Sequence, residues 1–272
     1  MRFSVISSGS KANSSFIDTG NARILIDCGL SAKQLEIRLG QLGINPASID
    51  AILVTHEHSD HIHGVPTLSK RYKIPVYANF QTLKQIPKPY HGEQFQNGVD
   101  FWVGGTRITP FSITHDAVDP VGFSIFSGGM KFSQVTDLGR VTLLVTEHLK
   151  DSNFLVLESN HDQEMLRNCE YPWELKSRIS SSYGHLSNDD STALLKEIAH
   201  PDLRHVVLGH LSEHSNSPAV ALQTHLAMFE ASQLSELPFD LRCGSVHHAT
   251  PLLCDDRAPL HDTHAEELRN AG

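Results

Sequence analysis

The segment Thr55-His56-Glu57-His58-Ser59-Asp60-His61 follows directly on the apolar run Ala51-Ile52-Leu53-Val54. The run reads as a short buried strand. The residues after it bring together three imidazoles and an aspartate, all ligand types for divalent metals. In an extended chain, residues two apart point the same way, so His56 and His58 can share one ion. Asp60 and His61 are neighbours, and a turn would let both reach a second ion. Gly64 permits such a turn.

The pattern H-x-H-x-D-H at a strand end resembles the signature of the metallo-β-lactamase superfamily. That resemblance implies an α/β fold, a four-layer αββα sandwich with one or two metals at the edge of its sheets. Further strand ends carry residues of the same type. They are His115 after Ile113-Thr114, Asp137 after Val135-Thr136, and His210 after Val206-Val207-Leu208-Gly209. The resemblance implies that His56, His58 and His115 hold one metal. Asp60, His61 and His210 hold the other, and Asp137 bridges. Asp27, closing Ile24-Leu25-Ile26, matches a position that orients a ligand histidine. His185, in Tyr183-Gly184-His185-Leu186-Ser187-Asn188, matches a histidine that faces the substrate phosphate in related phosphodiesterases. Asp60 and His185 are the expected catalytic residues. His63, His91, His148, His161, His214, His247 and His248 match no metal position.

Composition narrows the class. The 272 residues could form one large or two small domains. With 39% apolar and 19% charged residues, the chain suits a soluble globular protein with a sizeable core. No apolar run approaches the ~20 residues of a membrane span. Met1–Ile6 runs into a strand-like pattern without signal-peptide character, so a cytoplasmic location is expected. The four cysteines, Cys28, Cys169, Cys243 and Cys254, are widely spaced, which argues against a disulfide framework. A net charge of −9 argues against a broad electrostatic grip on nucleic acid. A nuclease stays open, because bound cations add positive charge where a phosphate sits.

Local patterns give the organisation. Strands are expected over Phe3–Ser7, Ser15–Thr19, Arg23–Asp27, Ala51–Val54 and Pro75–Ala78. Others follow over Arg107–Thr114, Val121–Phe126, Met130–Thr136, Asn153–Glu158 and His205–Leu208. Ser127-Gly128-Gly129 is a hairpin turn. Ser31 caps a helix over Ala32–Leu42, with Leu35, Leu39 and Leu42 on one face. Further helices are expected near Val65–Arg71, over Gly139–Leu149, over Asp189–Ala199 with Asn188 as cap, and over Pro218–Ala231. The halves share a rough order of strands, ligand loop, helix and strand, without a convincing sequence repeat. The catalytic domain is expected over residues 1–254, and residues 255–272 read as a loose polar tail.

Ser7–Ser15 is rich in small residues, and Ser10, Lys11 and Asn13 are candidate phosphate contacts. Leu157–Asp162, Tyr171–Lys176, 184–188 and Gly209–Pro218 are similar to YycJ/WalJ-type bacterial metallohydrolases, a branch linked to 5′-exonuclease activity on DNA. Ala12 stands where that branch suggests glycine. Only 72 residues separate Asp137 from His210, too few for the inserted domain of the β-CASP ribonucleases. The long arm of ribonuclease Z is also absent. The bridging Asp137 argues against an antibiotic-hydrolysing enzyme. The expectation is a dinuclear zinc or manganese phosphodiesterase, a 5′ exonuclease on DNA or else RNA. The rival readings are a glyoxalase II-like thioester hydrolase, a small cyclic phosphodiesterase and a non-catalytic binding module.

Overall fold

The computed structural model describes residues 1–230 and 239–255. The first half runs β1 (Arg2–Ser7), β2 (Ser14–Asp18), β3 (Arg23–Ile26), α1 (Ala32–Gln41), β4 (Ala51–Leu53), α2 (Ser59–Ile62), α3 (Val65–Tyr72), β5 (Pro75–Asn79), α4 (Phe80–Gln85) and β6 (His91–Phe95). The second runs β7 (Phe101–Val103), β8 (Thr106–Ser112), β9 (Val121–Ser127), β10 (Met130–Val135), α5 (Leu143–Leu149), β11 (Phe154–Glu158), α6 (Gln163–Asn168), α7 (Trp173–Ile179), α8 (Asn188–Ile198), β12 (His205–Gly209), α9 (Pro218–Glu230), β13 (Asp240–Cys243) and β14 (Leu253–Cys254).

Two seven-stranded sheets result, in the orders β14-β1-β2-β3-β4-β5-β6 and β13-β12-β11-β10-β9-β8-β7. Each begins as an antiparallel meander and continues as parallel strands, from β3 in one and from β10 in the other. The shared order of the two halves is thus a shared topology. Side-chain alternation splits each strand between two cores. Ile24 and Ile26 of β3 face the layer between the sheets, as do Phe154 and Val156 of β11. Leu25 faces outward onto α1 and α3. Leu155 and Leu157 face outward onto α5, α8 and α9. Strands buried on both faces require cover on both sides, which gives the αββα layering.

Several boundaries move from their expected places. The helix expected from Gly139 starts at Leu143, because the Thr142 hydroxyl caps Val145 N. Gly139 instead packs against backbone: a Cβ there would lie 2.3 Å from Ser182 O. The cap of α8 is Ser187, whose hydroxyl accepts from Asp190 N. Asn188 is the first helical residue, buried and bonded to Ser159 and Asn216. Asp60 and His61 lie in the short helix α2 and not in a turn made by Gly64. Gly64 has an ordinary right-handed conformation, and its role is close approach, since a Cβ would lie 2.2 Å from Leu30 O. Ala231 and residues 256–272 of the expected tail lie outside the described residues. Asp255 is described and pairs with Arg204.

Gly29 makes the closest approach of all. A Cβ there would meet the Asp60 carbonyl at 1.7 Å. Gly40, in α1, has nothing within 4 Å of the same point. Gly29→Ala is expected to lower stability by about 1–3 kcal/mol or more through overpacking. Gly40→Ala is expected to be neutral or stabilising by up to about 1 kcal/mol, since alanine favours helix. Urea unfolding midpoints check both signs, and equal shifts would contradict the packing role of Gly29.

Candidate metal centre

The parallel strands of both sheets end at one rim, and the histidines and aspartates collect there. The ring centroids of His56 lie 4.6 Å from His58, 4.1 Å from His61 and 5.1 Å from His115. One ligand atom from each of His56, His58 and His115 falls within 4.8 Å of the others. The same holds for Asp60, His61 and His210, and for His56, His61 and Asp137. Asp137 stands between the first two sets. Its Oδ1 is 3.5 Å from Nε2 of both His115 and His210, and its Oδ2 is 3.2 Å from His61 Nε2. All seven sequence candidates therefore meet in one cluster.

Three of the pivotal residues share a backbone device. Asp27, Asp137 and His210 have φ of 59°, 59° and 56°. Non-glycine residues rarely adopt this left-handed region, though Asp and His do so more often than most. Each follows the end of a strand, and the conformation breaks the strand direction at the rim. The associated strain is of the kind that clusters at functional sites.

The hydrogen bonds behind the histidines fix which nitrogen faces inward. The Thr55 hydroxyl donates to Asp27 Oδ2 (2.8 Å), so it accepts from His56 Nδ1 (3.0 Å). His61 Nδ1 donates to Asp27 Oδ2 (2.8 Å). His115 Nδ1 donates to Gly184 O (3.2 Å), and His210 Nδ1 donates to Glu158 Oε1 (2.9 Å). With Nδ1 protonated, Nε2 carries the free lone pair a metal needs. Nε2 of His56, His115 and His210 and Oδ2 of Asp137 are buried without any hydrogen-bond partner. Orphaned polar atoms of this kind are costly unless something binds them. Divalent cations fit this donor set.

Electrostatics agree. Burial opposes ionisation of Asp137, yet the positive charges of His210 and His61 outweigh it and hold its pKa far below the usual range. Burial likewise opposes ionisation of Asp60, but the imidazoles of His210 and His61, with Nε2 at 3.8 Å and 3.3 Å from its Oδ2, outweigh it and hold its pKa well below the usual range. His210 resists charge through burial, but Asp137, Asp60 and Glu158 drive its pKa up to about 10. The carboxylates thus create a negative potential that favours any cation.

Glu158 was not among the sequence candidates. It is fully buried, and Oε1 accepts from Nδ1 of both His185 and His210 at 2.9 Å. Oε2 accepts from Leu138 N (2.5 Å) and Leu186 N (3.3 Å). Burial raises its pKa, but His185 and His210 bring it down to about 2. The sequence did hold a sign of this role: an acidic residue closes the apolar run Phe154–Leu157, as Asp27 closes Ile24–Ile26. Thr55, which props Asp27, was also missed.

The loop Ser7–Ser15 departs from its expected role. Asn13 is buried, and its Nδ2 lies 3.1 Å from Asp60 Oδ2 and 3.0 Å from His61 Nε2. Its Oδ1 accepts from Gly9 N. Asn13 thus props the cluster, and its amide is not free for a phosphate. Lys11 is exposed and paired with Glu213 at 2.5 Å. Ser10 is exposed at the surface. Asp27 lies beneath His61 and accepts from its Nδ1. His185 is 21% exposed, and its Nδ1 sits 3.8 Å from Asp137 Oδ1.

Residues 22–211 match the family model described as the beta-lactamase superfamily domain. The chain is 35% identical over 227 residues to exodeoxyribonuclease YycJ of Bacillus anthracis, covering 81% of this chain and 86% of that protein. It is 34% identical over 260 residues to exodeoxyribonuclease WalJ of Streptococcus pneumoniae, covering 92% and 97%. The crystal structure of the metallo-β-lactamase fold protein YhfI from Bacillus subtilis superposes with a TM-score of 0.69 at 16% identity, covering 92% and 98%. The rim cluster and the two-sheet topology accordingly have a family to belong to, and this chain is a member of the metallo-β-lactamase superfamily, in its YycJ/WalJ-type branch.

Proposed function

We propose that this protein is a dinuclear metal-dependent phosphodiesterase that acts as a 5′ exonuclease on DNA. The observation that carries the reading is the paired cluster of inward-facing Nε2 atoms around Asp137, with His185 held beside it by Glu158. Two similar proteins of nearly matching length are named exodeoxyribonucleases. Residues 1–254 would form the catalytic unit.

His56, His58 and His115 would hold one ion and Asp60, His61 and His210 the other, with Asp137 shared. Zinc or manganese suits three imidazoles with carboxylates. Such ions supply Lewis acidity toward a phosphoryl oxygen and ease the loss of a proton from water. The residues of the chain do the rest. Asp60, ionised and 22% exposed, accepts a hydrogen bond from the attacking water and orients it. Glu158 accepts from His185 Nδ1, which leaves Nε2 to face the substrate. Protonated His185 then donates from Nε2 to the departing oxygen, while Glu158 stabilises the imidazolium. A gel assay on 5′-phosphorylated single- and double-stranded DNA, with Mn²⁺ or Zn²⁺ added, tests the reading. Absence of any strand shortening with either ion would reject it.

Elemental analysis of the loaded protein is expected to approach two ions per chain. Asp137→Ala should disturb both, and His210→Ala should mainly weaken one. Two ions retained at normal affinity in Asp137→Ala would refute the shared position.

Glu158→Gln removes the charge behind His210 and His185 while keeping the size. Such supporting residues typically contribute about 10–100-fold to metal affinity or activity. A loss of that size in both is expected, measured by competition with a chromophoric chelator and by turnover.

His185→Ala should keep its metals and lose about 10²–10⁴-fold in kcat on DNA, the usual contribution of a general acid. The loss should shrink on a p-nitrophenyl phosphodiester, whose leaving group needs no proton. Equal losses on both substrates would assign His185 to binding or packing instead.

A further inference from the structure

Beside His185 lies a cavity of about 440 Å³, bounded by α6, α7 and the start of α8. It touches the proposed centre at His185 and Gly139 and runs away from it beneath Trp173, Lys176 and Arg167. Its volume suits one small ligand and not a duplex.

The lining has three chemistries. Arg167 and Lys176 supply positive charge to a chain whose net charge is −9. Lys176 Nζ donates to the Arg167 carbonyl at 2.6 Å, which ties α7 to α6 and leaves the ammonium two further protons. The only lining carboxylate is Asp190, and it accepts from the Ser187 hydroxyl at 2.7 Å. Trp173 supplies an aromatic surface that is 76% exposed although it lines the cavity. A large indole left open to water beside basic groups is a stacking platform for a base. His161, 2% exposed, also lines the cavity, and its Nδ1 has no hydrogen-bond partner. A buried polar atom without a protein partner is open to a bond from whatever occupies the cavity beside it.

We infer that this cavity holds the terminal nucleotide of a DNA strand, with its 5′-phosphate on Arg167 and Lys176 and its base against Trp173. His161 Nδ1 bonds the base or sugar. The inference rests on the proposed phosphodiesterase reading and deepens it. A pocket sized for one nucleotide next to His185 would favour a strand end, whose terminal nucleotide and 5′-phosphate fill it together.

Trp173 and Trp102 are the two tryptophans of the chain, and Trp102 lies in β7, in the edge strand of the second sheet. In Trp102→Phe protein, emission therefore reports on the cavity. The probes are DNA trinucleotides with a 5′-phosphate or a 5′-hydroxyl, titrated into the full chain as purified and again in EDTA. The phosphorylated probe is expected to quench Trp173 at least ten-fold more tightly in both conditions. The double variant Arg167→Ala/Lys176→Ala, and the milder Arg167→Gln alone, should erase or weaken that preference while the affinity for the 5′-hydroxyl probe stays within about two-fold. Equal affinity for the two ends, no quenching, or a preference unaltered in the double variant would overturn the inference. A preference that vanishes in EDTA would place the phosphate on the metals and would also overturn it. The titration needs no turnover, so a protein that binds the phosphorylated end without shortening DNA would sink the nuclease reading and support the pocket.

Discussion

Three non-glycine residues held at positive φ, Asp27, Asp137 and His210, set the geometry on which the rest depends. Asp27 and Asp137 follow β3 and β10, the central strands of their sheets, and His210 follows β12, one strand in from the edge. The left-handed conformation turns the backbone there while the side chain stays over the gap between the sheets. Glycine would adopt such angles more easily but would bring no ligand. The cost of the conformation is accepted where the side chain is needed, and all three side chains serve the same cluster. The sandwich is thus a device for bringing strand ends from two sheets to one place.

The second constraint is desolvation. Asp27, Asp137 and Glu158 are all buried, and an isolated carboxylate there would cost several kcal/mol. Asp27 and Glu158 are instead surrounded by donors, and Asp137 lies among the imidazoles of His61, His115 and His210. Asp27 receives the Thr55 amide, the Thr55 hydroxyl and His61 Nδ1. Glu158 receives two imidazoles and two backbone amides. One sheet contributes each: Asp27 follows β3 and Glu158 closes β11. The two halves therefore carry equivalent props, Asp27 fixing the proton on His61 and Glu158 the proton on His210. Glu158 does more than Asp27, since it also holds His185 and joins the loops at Leu138 and Leu186.

What was legible in the sequence follows from how local its cause is. The ten central strands and the seven cluster residues could be read because each candidate residue sits beside the apolar run that places it, whereas the edge strands β6, β7, β13 and β14 are short or polar and were not expected. The cap of α1 at Ser31 is a contact across three residues and was read correctly. Ser187 and Asn188 are both good caps, and only tertiary contacts to Ser159 and Asn216 decide between them. Gly29 and Gly64 exist for backbone approaches to Asp60 and Leu30, which no local pattern reveals. Asn13 looked like a phosphate contact because its loop is small and polar. Its partners, Asp60 and His61, are more than 45 residues away and turn it inward. Glu158 was hidden for the same reason: its four donors come from three separate segments.

Exposure around the cluster gives the site a direction. His56, His61, Asp137 and His210 are buried, while His58, Asp60 and His185 are partly open. Substrate must therefore arrive on the side shared by Asp60 and His185, which is also the side of α6 and α7. A chain with 31 acidic and 22 basic residues has no general field to draw in a polyanion. On the proposed reading, its hold on DNA would come from a few local charges: cations held by the cluster and the basic side chains beside it. Few neutralised phosphates release few counterions, so binding of this kind is weak in total and mild in its salt dependence. Such a surface does not retain internal stretches of duplex by charge alone. On that reading, discrimination would fall on the cavity beside His185, where basic groups and the Trp173 indole converge.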